Sequence, residues 1–183
     1  MSLRVVVGPM FAGKTSEIQS VVRRYSCLGK KVLVLTSVID DRYQNEVVAL
    51  VNHDQNAVPA KAISGTELVT VFGWPEYDEA TAVVLDEAQF FDGYVMDFVR
   101  TAVDQHKKHV VVVGLDSDAE RKPFTNVLEL ISQADSVEKK TALCRECGDG
   151  TPAIFTRALR QRENRVAVGG ADLYEPVCRR HFR

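Results

Sequence analysis

The feature that most constrains this chain is a short apolar strand that runs into a glycine-punctuated loop and then a helix. The stretch is Val5-Val6-Val7-Gly8-Pro9-Met10-Phe11-Ala12-Gly13-Lys14-Thr15-Ser16-Glu17. Gly8, Gly13, Lys14 and Thr15 meet the pattern G-x-x-x-x-G-K-[ST], and each position has a physical task. The two glycines let the backbone turn tightly and approach a ligand with no Cβ in the way. The N–H groups available within residues 9–15, Pro9 having none, with the positive end of the helix they open, can surround phosphate oxygens. Lys14 is expected at the β- and γ-phosphates of a nucleotide such as ATP, and the Thr15 hydroxyl on Mg²⁺. Such a loop belongs at the carboxyl edge of a parallel sheet, so an α/β fold is expected.

The rest of the chain continues that alternation. Lys14 to about Cys27 reads as a helix stopped by Gly29, and Lys31–Thr36 is almost wholly apolar, as parallel strands covered on both faces are. Residues 37–62 carry polar clusters at Asp40-Asp41-Arg42-Tyr43 and Asn52-His53-Asp54-Gln55-Asn56, which read as solvated loop. Val58–Ile63 fits a short edge strand, and Gly65–Phe72 a helix that Gly73-Trp74-Pro75 terminates. Val95–Lys107 and Thr125–Ala134 are helical by apolar spacing. Val110–Asp116 is a buried strand, and Asp135–Leu143 fits a final one. The expectation is a mostly parallel sheet of about five strands with helices on its faces.

Thr81-Ala82-Val83-Val84-Leu85-Asp86-Glu87-Ala88-Gln89-Phe90-Phe91 is the second informative stretch. An apolar strand ending in an acid, downstream of a phosphate loop, supplies the group that holds Mg²⁺ between phosphates. Adjacent side chains leave a strand on opposite sides, so Asp86 and Glu87 can address one site only if the strand breaks between them. Asp86 is assigned to the metal, through a water, and Glu87 to activating an acceptor hydroxyl.

Cys144-x-x-Cys147 and Cys178-x-x-His181 form the third constellation. Two short pairs of soft or borderline ligands are the usual frame of a closed tetrahedral Zn²⁺ site, here clipping the base of a loop over 148–177, so the zinc is expected to be structural. The strand–helix alternation stops near Thr141, which divides the chain into a nucleotide-binding unit, 1–141, and a small zinc unit, 142–183. Within that loop, Val168-Gly169-Gly170 offers backbone to a flat ligand over which Tyr174 could close; a surface loop is the alternative.

With 183 residues, 45% of them apolar, the chain can build a real core. Its net charge of −2 argues against nonspecific nucleic-acid binding, and too few aromatics accompany the arginines of the zinc unit for a stacking platform. No apolar run is long enough for a membrane span, and Met1-Ser2-Leu3 leads directly into a core strand, so a soluble, cytoplasmic protein without a signal peptide is expected.

The ordered set of motifs resembles the type II thymidine kinases, the cytosolic enzymes of animals and many bacteria, over essentially the whole length. Beyond the stretches above, the resemblance rests on Asp40-x-Arg42-Tyr43, His53-Asp54, Gly114-Leu115-Asp116, Arg121-Lys122-Pro123-Phe124 and Val168-Gly169-Gly170-Ala171-Asp172-x-Tyr174. It implies transfer of the γ-phosphoryl of ATP, with Mg²⁺, to the 5′-hydroxyl of thymidine or deoxyuridine. Glu87 would be the base, and Arg42 would lie near the phosphates, with Asp40 and His53 as support. Met10, Phe90, Leu115, Phe124 and Thr156 would form or border the thymine pocket. The segment from about Thr156 to Tyr174 would hold the base, largely through its backbone. The resemblance further implies a RecA-type α/β domain plus a zinc domain, a homotetramer, and inhibition by the end product thymidine triphosphate, dTTP. The chain departs from the family pattern in the acidic Ser117-Asp118-Ala119-Glu120, in Ala158 where some members carry a basic residue, and in Arg160, Arg162 and Arg165 crowding the substrate loop. A nucleotide-dependent switch or motor ATPase that phosphorylates no acceptor is the reading from another class.

Overall fold

A computed structural model describes residues 1–38, 47–51, 57–160 and 171–183. Its centre is a seven-stranded sheet ordered β3-β4-β2-β5-β6-β1-β7, built from β1 (Ser2–Val7), β2 (Lys31–Ser37), β3 (Val47–Val51), β4 (Ala57–Ile63), β5 (Ala80–Asp86), β6 (His109–Gly114) and β7 (Ser136–Lys139). Every neighbouring pair is parallel except β3 and β4, which are antiparallel. The helices are α1 (Lys14–Ser26), α2 (Pro75–Glu79), α3 (Tyr94–Arg100) and α4 (Thr125–Glu129).

Strand side chains alternate between two cores. Val6, Val34, Val84, Val111 and Val113 join Ile18 and Val21 of α1 on one face. On the other, Val5, Val7, Leu35, Val83, Leu85 and Val112 pack with Phe98 and Val99 of α3 and Val127 of α4. Because both faces are covered, the central strands must be apolar throughout, which is why they read as continuous valine and leucine runs. Each fully buried valine contributes about 1.5–3 kcal/mol relative to exposure.

Several elements differ from the sequence expectation. The sheet has seven strands because Val47–Val51, inside the stretch read as loop, pairs along Ala57–Val51 to Lys61–Val47 with β4. The segment after Gly65 is a 3-10 helix, Thr66–Gly73, and the helix expected over Val95–Lys107 changes at Thr101–Gln105 to a π turn closed by His106 N donating to Thr101 O, 3.0 Å. The strand expected over Asp135–Leu143 ends at Lys139. Beyond it, β8 (Ala142–Leu143) pairs antiparallel with β9 (Pro152–Ala153), outside the main sheet.

A second small pair, β10 (Phe155–Ala158) and β11 (Tyr174–Val177), is antiparallel with Thr156 opposite Pro176 and Ala158 opposite Tyr174. This C-terminal region has its own core of Ala142, Cys144, Ala153, Val177 and Cys178, against which Phe155, Phe182 and Ala12 of the glycine loop pack. Arg121, from the loop after β6, lays its guanidinium over the Phe155 ring at 4.5 Å and the Phe182 ring at 5.3 Å, a cation–π link between the two regions. Among the described residues, no helix is long and apolar enough to cross a membrane.

Candidate functional site

The glycine loop leaves β1 at Gly8 and enters α1 at Gly13, whose left-handed backbone (φ 76°, ψ 24°) is the helix N-cap. Phe11 also has positive φ, 65°, a conformation that costs a non-glycine residue about 1–2 kcal/mol and marks a constrained loop. Gly8 and Pro9 are buried, Met10, Ala12 and Thr15 half-buried, and Phe11, Gly13 and Ser16 exposed. The buried Lys14 turns back into the loop, where its Nζ donates to Gly8 O (3.2 Å) and Pro9 O (2.8 Å). Burial pulls its pKa below the usual lysine value, and the charges of Glu87, Asp86 and Asp116 partly oppose that. Three carboxylates from two strand ends therefore face one buried ammonium.

The strand breaks after Asp86, the condition under which the two adjacent acids can address one site. Glu87 takes a left-handed conformation, φ 50° and ψ 40°, at the end of β5, and a short 3-10 turn, Ala88–Phe90, follows. Asp86 is buried and accepts a hydrogen bond from Glu87 N at 2.9 Å. Burial and then the Glu87 charge push its carboxyl up to about 7, against that N–H bond and the Lys14 cation. Asp116, also buried, pairs with Lys139 Nζ at 2.7 Å.

β6 lies between β1 and β5. The loop-bearing and acid-bearing strands are thus two sheet spacings apart, roughly 10 Å. Gln89 bridges the ends of β5 and β6: it is buried, with Nε2 donating to Glu87 Oε2 (2.5 Å) and Oε1 accepting from Leu115 N (3.0 Å).

The residues expected at the thymine pocket fall into connected groups. Met10 N donates to the buried Thr156 Oγ1 at 3.0 Å, tying the glycine loop to β10. Phe90 and Phe124 meet edge to face with ring centroids 6.3 Å apart, and the Leu115 amide is held by Gln89. Tyr174 is buried on β11 and, with Phe11, Leu143, Ala171 and Pro176, lines a shallow depression. Asp40, Arg42, His53, Arg162, Arg165, Val168, Gly169 and Gly170 lie outside the described residues.

The acidic loop is a folded turn. Asp118 is buried and its Oδ1 accepts from Glu120 N and Lys122 N, both at 2.9 Å, while Asp118 N donates to Lys122 O. Its carboxylate closes the turn that presents Arg121. Ala158 pairs with Tyr174 in the β10–β11 ladder, and Arg160 is exposed.

Cys144, Cys147, Cys178 and His181 converge, with their ligand atoms all within 4.8 Å of one another. Cys147 Sγ lies 3.8 Å from Cys178 Sγ, and His181 Nδ1 lies 3.3, 3.5 and 3.6 Å from Cys147, Cys178 and Cys144. A tetrahedral zinc with bonds of about 2.3 Å to sulfur and about 2.0–2.1 Å to nitrogen needs edges of about 3.8 Å and about 3.5 Å, so the set fits that ion. Arg157 braces both ligand pairs: it bonds Glu146, between the first two cysteines, Glu175 on β11, and His181 O at 2.8 Å.

Fold and site together define a class: a mostly parallel α/β protein whose glycine loop and strand-end acids face one another, with a Cys3His cluster beside them that is compatible with zinc. A family model described as Thymidine kinase matches residues 1–182. The chain belongs to that family. It is 40% identical over 182 residues to a thymidine kinase of Oryza sativa subsp. japonica, covering 98% of this chain and 65% of the rice protein. It is 37% identical to thymidine kinase a of Arabidopsis thaliana over 99% of this chain and 74% of that protein. With a thymidine kinase of Rhodothermus sp. the figures are 35%, 99% and 81%. The chain thus spans just under two thirds of the rice relative's length.

Proposed function

We propose that this chain is a thymidine kinase that moves the γ-phosphoryl of ATP to the 5′-hydroxyl of thymidine or deoxyuridine, leaving ADP and the nucleoside 5′-monophosphate. The observation that carries this reading is the convergence of buried Lys14 with Asp86, Glu87 and Asp116 at the carboxyl ends of parallel strands, inside a chain of this family.

Phosphoryl transfer through a loose transition state needs positioning and charge stabilisation more than covalent help. Backbone N–H groups along Gly8 to Ser16, Pro9 having none, are suited to the phosphate oxygens, and Lys14 to charge spreading over the transferring group. Thr15 and, through a water, Asp86 would hold Mg²⁺, which would supply neutralising charge to the phosphates, and a cation beside Asp86 favours the deprotonated carboxylate. Glu87 accepts the proton of the 5′-hydroxyl as that oxygen bonds to phosphorus and the bond to the bridging oxygen breaks. Met10, Phe90, Leu115, Phe124, Thr156 and Tyr174, with the backbone at Val168, Gly169 and Gly170, are assigned to the nucleoside, and Arg42 to the phosphates. The Cys144, Cys147, Cys178 and His181 site is read as structural zinc, within a small domain over 142–183 that follows the nucleotide domain over 1–141. We further expect a cytoplasmic homotetramer inhibited by dTTP, with no membrane or nucleic-acid partner, acting in salvage of DNA precursors.

The test is an ATP-to-ADP assay with Mg²⁺ against the four deoxynucleosides and deoxyuridine, with products identified by mass. A 5′-monophosphate from thymidine or deoxyuridine alone is expected. ADP formed without a phosphorylated nucleoside would replace this reading with the nucleotide-dependent switch. Glu87→Gln should lower kcat far more than nucleotide affinity, and a normal kcat would remove Glu87 from its role.

A further inference from the structure

Gln89 stands out among buried polar groups because both ends of its amide are committed to the site. Leu115 N can only donate, so the amide atom facing it at 3.0 Å must be the oxygen. Nε2 is then turned toward Glu87 Oε2, at 2.5 Å. The amide cannot flip without setting two donors against each other at Leu115 and an oxygen against a carboxylate at Glu87.

The rest of the residue is equally constrained. Asn126 Nδ2, from α4, lies 3.3 Å from Ala88 O and 3.2 Å from Gln89 O, so the 3-10 turn carrying Gln89 is held from outside. Gly114 provides the space for the side chain: an ideal Cβ there would lie 2.7 Å from Gln89 Oε1. The absence of a side chain at the end of β6 is what lets the amide reach across to Leu115.

From this geometry we infer that Gln89 is a positioning residue that aims the Glu87 carboxylate and anchors it to the end of β6. The link has a chemical purpose. Glu87 leaves a broken strand end in a left-handed conformation, one residue past the last paired position of β5, so the strand's alternation does not set the direction of its side chain. The Gln89 amide supplies that direction. It also joins the carboxylate to the Leu115 amide on the wall assigned to the nucleoside. This inference rests on the assignment of Glu87 as base made above.

The experiment is a set of double-mutant cycles read in steady-state kinetics with ATP, Mg²⁺ and thymidine. Gln89→Ala should lower kcat by about 10- to 100-fold, the range expected when a reacting group is misplaced by about 1 Å. The KM for ATP should stay within about twofold, because the phosphate loop is untouched. Gly114→Ala should reproduce the kcat loss with Gln89 present and add little in the Gln89→Ala background, since the clash is then gone. Combining Gln89→Ala with Glu87→Gln should cost no more than Glu87→Gln alone. Unchanged kcat in Gln89→Ala, or a full further loss in the Glu87→Gln background, would overturn the inference. A normal kcat in Glu87→Gln alone would instead overturn the assignment of the base, so the two failures are distinguishable.

Discussion

Replacing Gly8 with alanine tests the packing of the glycine loop most directly. An ideal Cβ at Gly8 would sit 2.5 Å from Lys140 O, 3.1 Å from its carbonyl carbon and 3.4 Å from its Cα, all backbone atoms. Reaching an ordinary contact distance requires a movement of roughly 0.8 Å. Lys140 cannot give way freely, because its N–H donates to Val7 O at 2.8 Å and its ammonium pairs with Glu17 (3.2 Å) and Glu138 (2.7 Å). Overpacking costs about 1–3 kcal/mol, and loosening the Lys140–Val7 hydrogen bond about 1 more. The sum, about 2–4 kcal/mol, corresponds to a fall in Tm of roughly 5–15 °C for a chain of this size.

Gly13→Ala provides the internal control. Its left-handed φ of 76° penalises alanine, but nothing lies within 4 Å of an added Cβ. The cost there is conformational only, about 1–2 kcal/mol, and Gly13→Asn should recover part of it because asparagine tolerates that region. Scanning calorimetry of the three variants, at equal zinc content, gives the comparison. The reasoning fails if Gly8→Ala melts within about 2 °C of the parent, or if Gly13→Ala is the more destabilised of the two.

Lys14→Met should abolish turnover and lower Tm, because it removes the donor to Gly8 O and Pro9 O and leaves the buried Asp86 carboxyl without its cation; kinetics and calorimetry on one preparation decide this. Elemental analysis should find one zinc per chain, lost in Cys144→Ser together with several degrees of Tm. Arg157→Ala should keep the zinc but release it faster to a chelator, since Arg157 braces both ligand pairs. Acid sensitivity should follow the cluster of Arg4, Glu17, Glu138 and Lys140. At Glu17, burial raises the pKa but bonds from Arg4 and Lys140 outweigh it; at Glu138, the Lys140 bond dominates; both carboxyls end below their usual 4.5. Their contribution is therefore complete above pH 4.5 and is lost as pH falls through the lower folded values. Tm measured from pH 6 downward should drop less steeply below pH 4.5 in Glu17→Gln than in the parent.

The features legible in sequence were those set by local chemistry. A strand covered on both faces must be apolar throughout, so β1, β2, β5 and β6 could be read from composition and length. Gly8, Gly13 and Lys14 declare a loop by spacing, and the two Cys/His pairs declare a common centre by ligand type. The period of a strand showed that two adjacent acids could address one site only if the strand broke after Asp86, a condition the left-handed Glu87 meets.

What remained hidden depends on contacts between residues far apart in the chain. β3 forms because β4 gives its backbone a partner, and residues 142–143 leave the main sheet for β9; neither choice is encoded in the local pattern of side chains. Gly8 reads as a turn residue, yet its tightest constraint is the Lys140 carbonyl, 132 positions later. Gln89 sits in a quoted motif, but only the approach of Gly114 and Leu115 reveals why an amide belongs there. The sequence alone determined which chemical groups the protein can bring to one site, because those groups are declared by residue type and short spacing. Tertiary structure decided how they are aimed, because direction is set by hydrogen bonds and close contacts that exist only once β1, β5, β6 and the C-terminal Cys/His region have packed together.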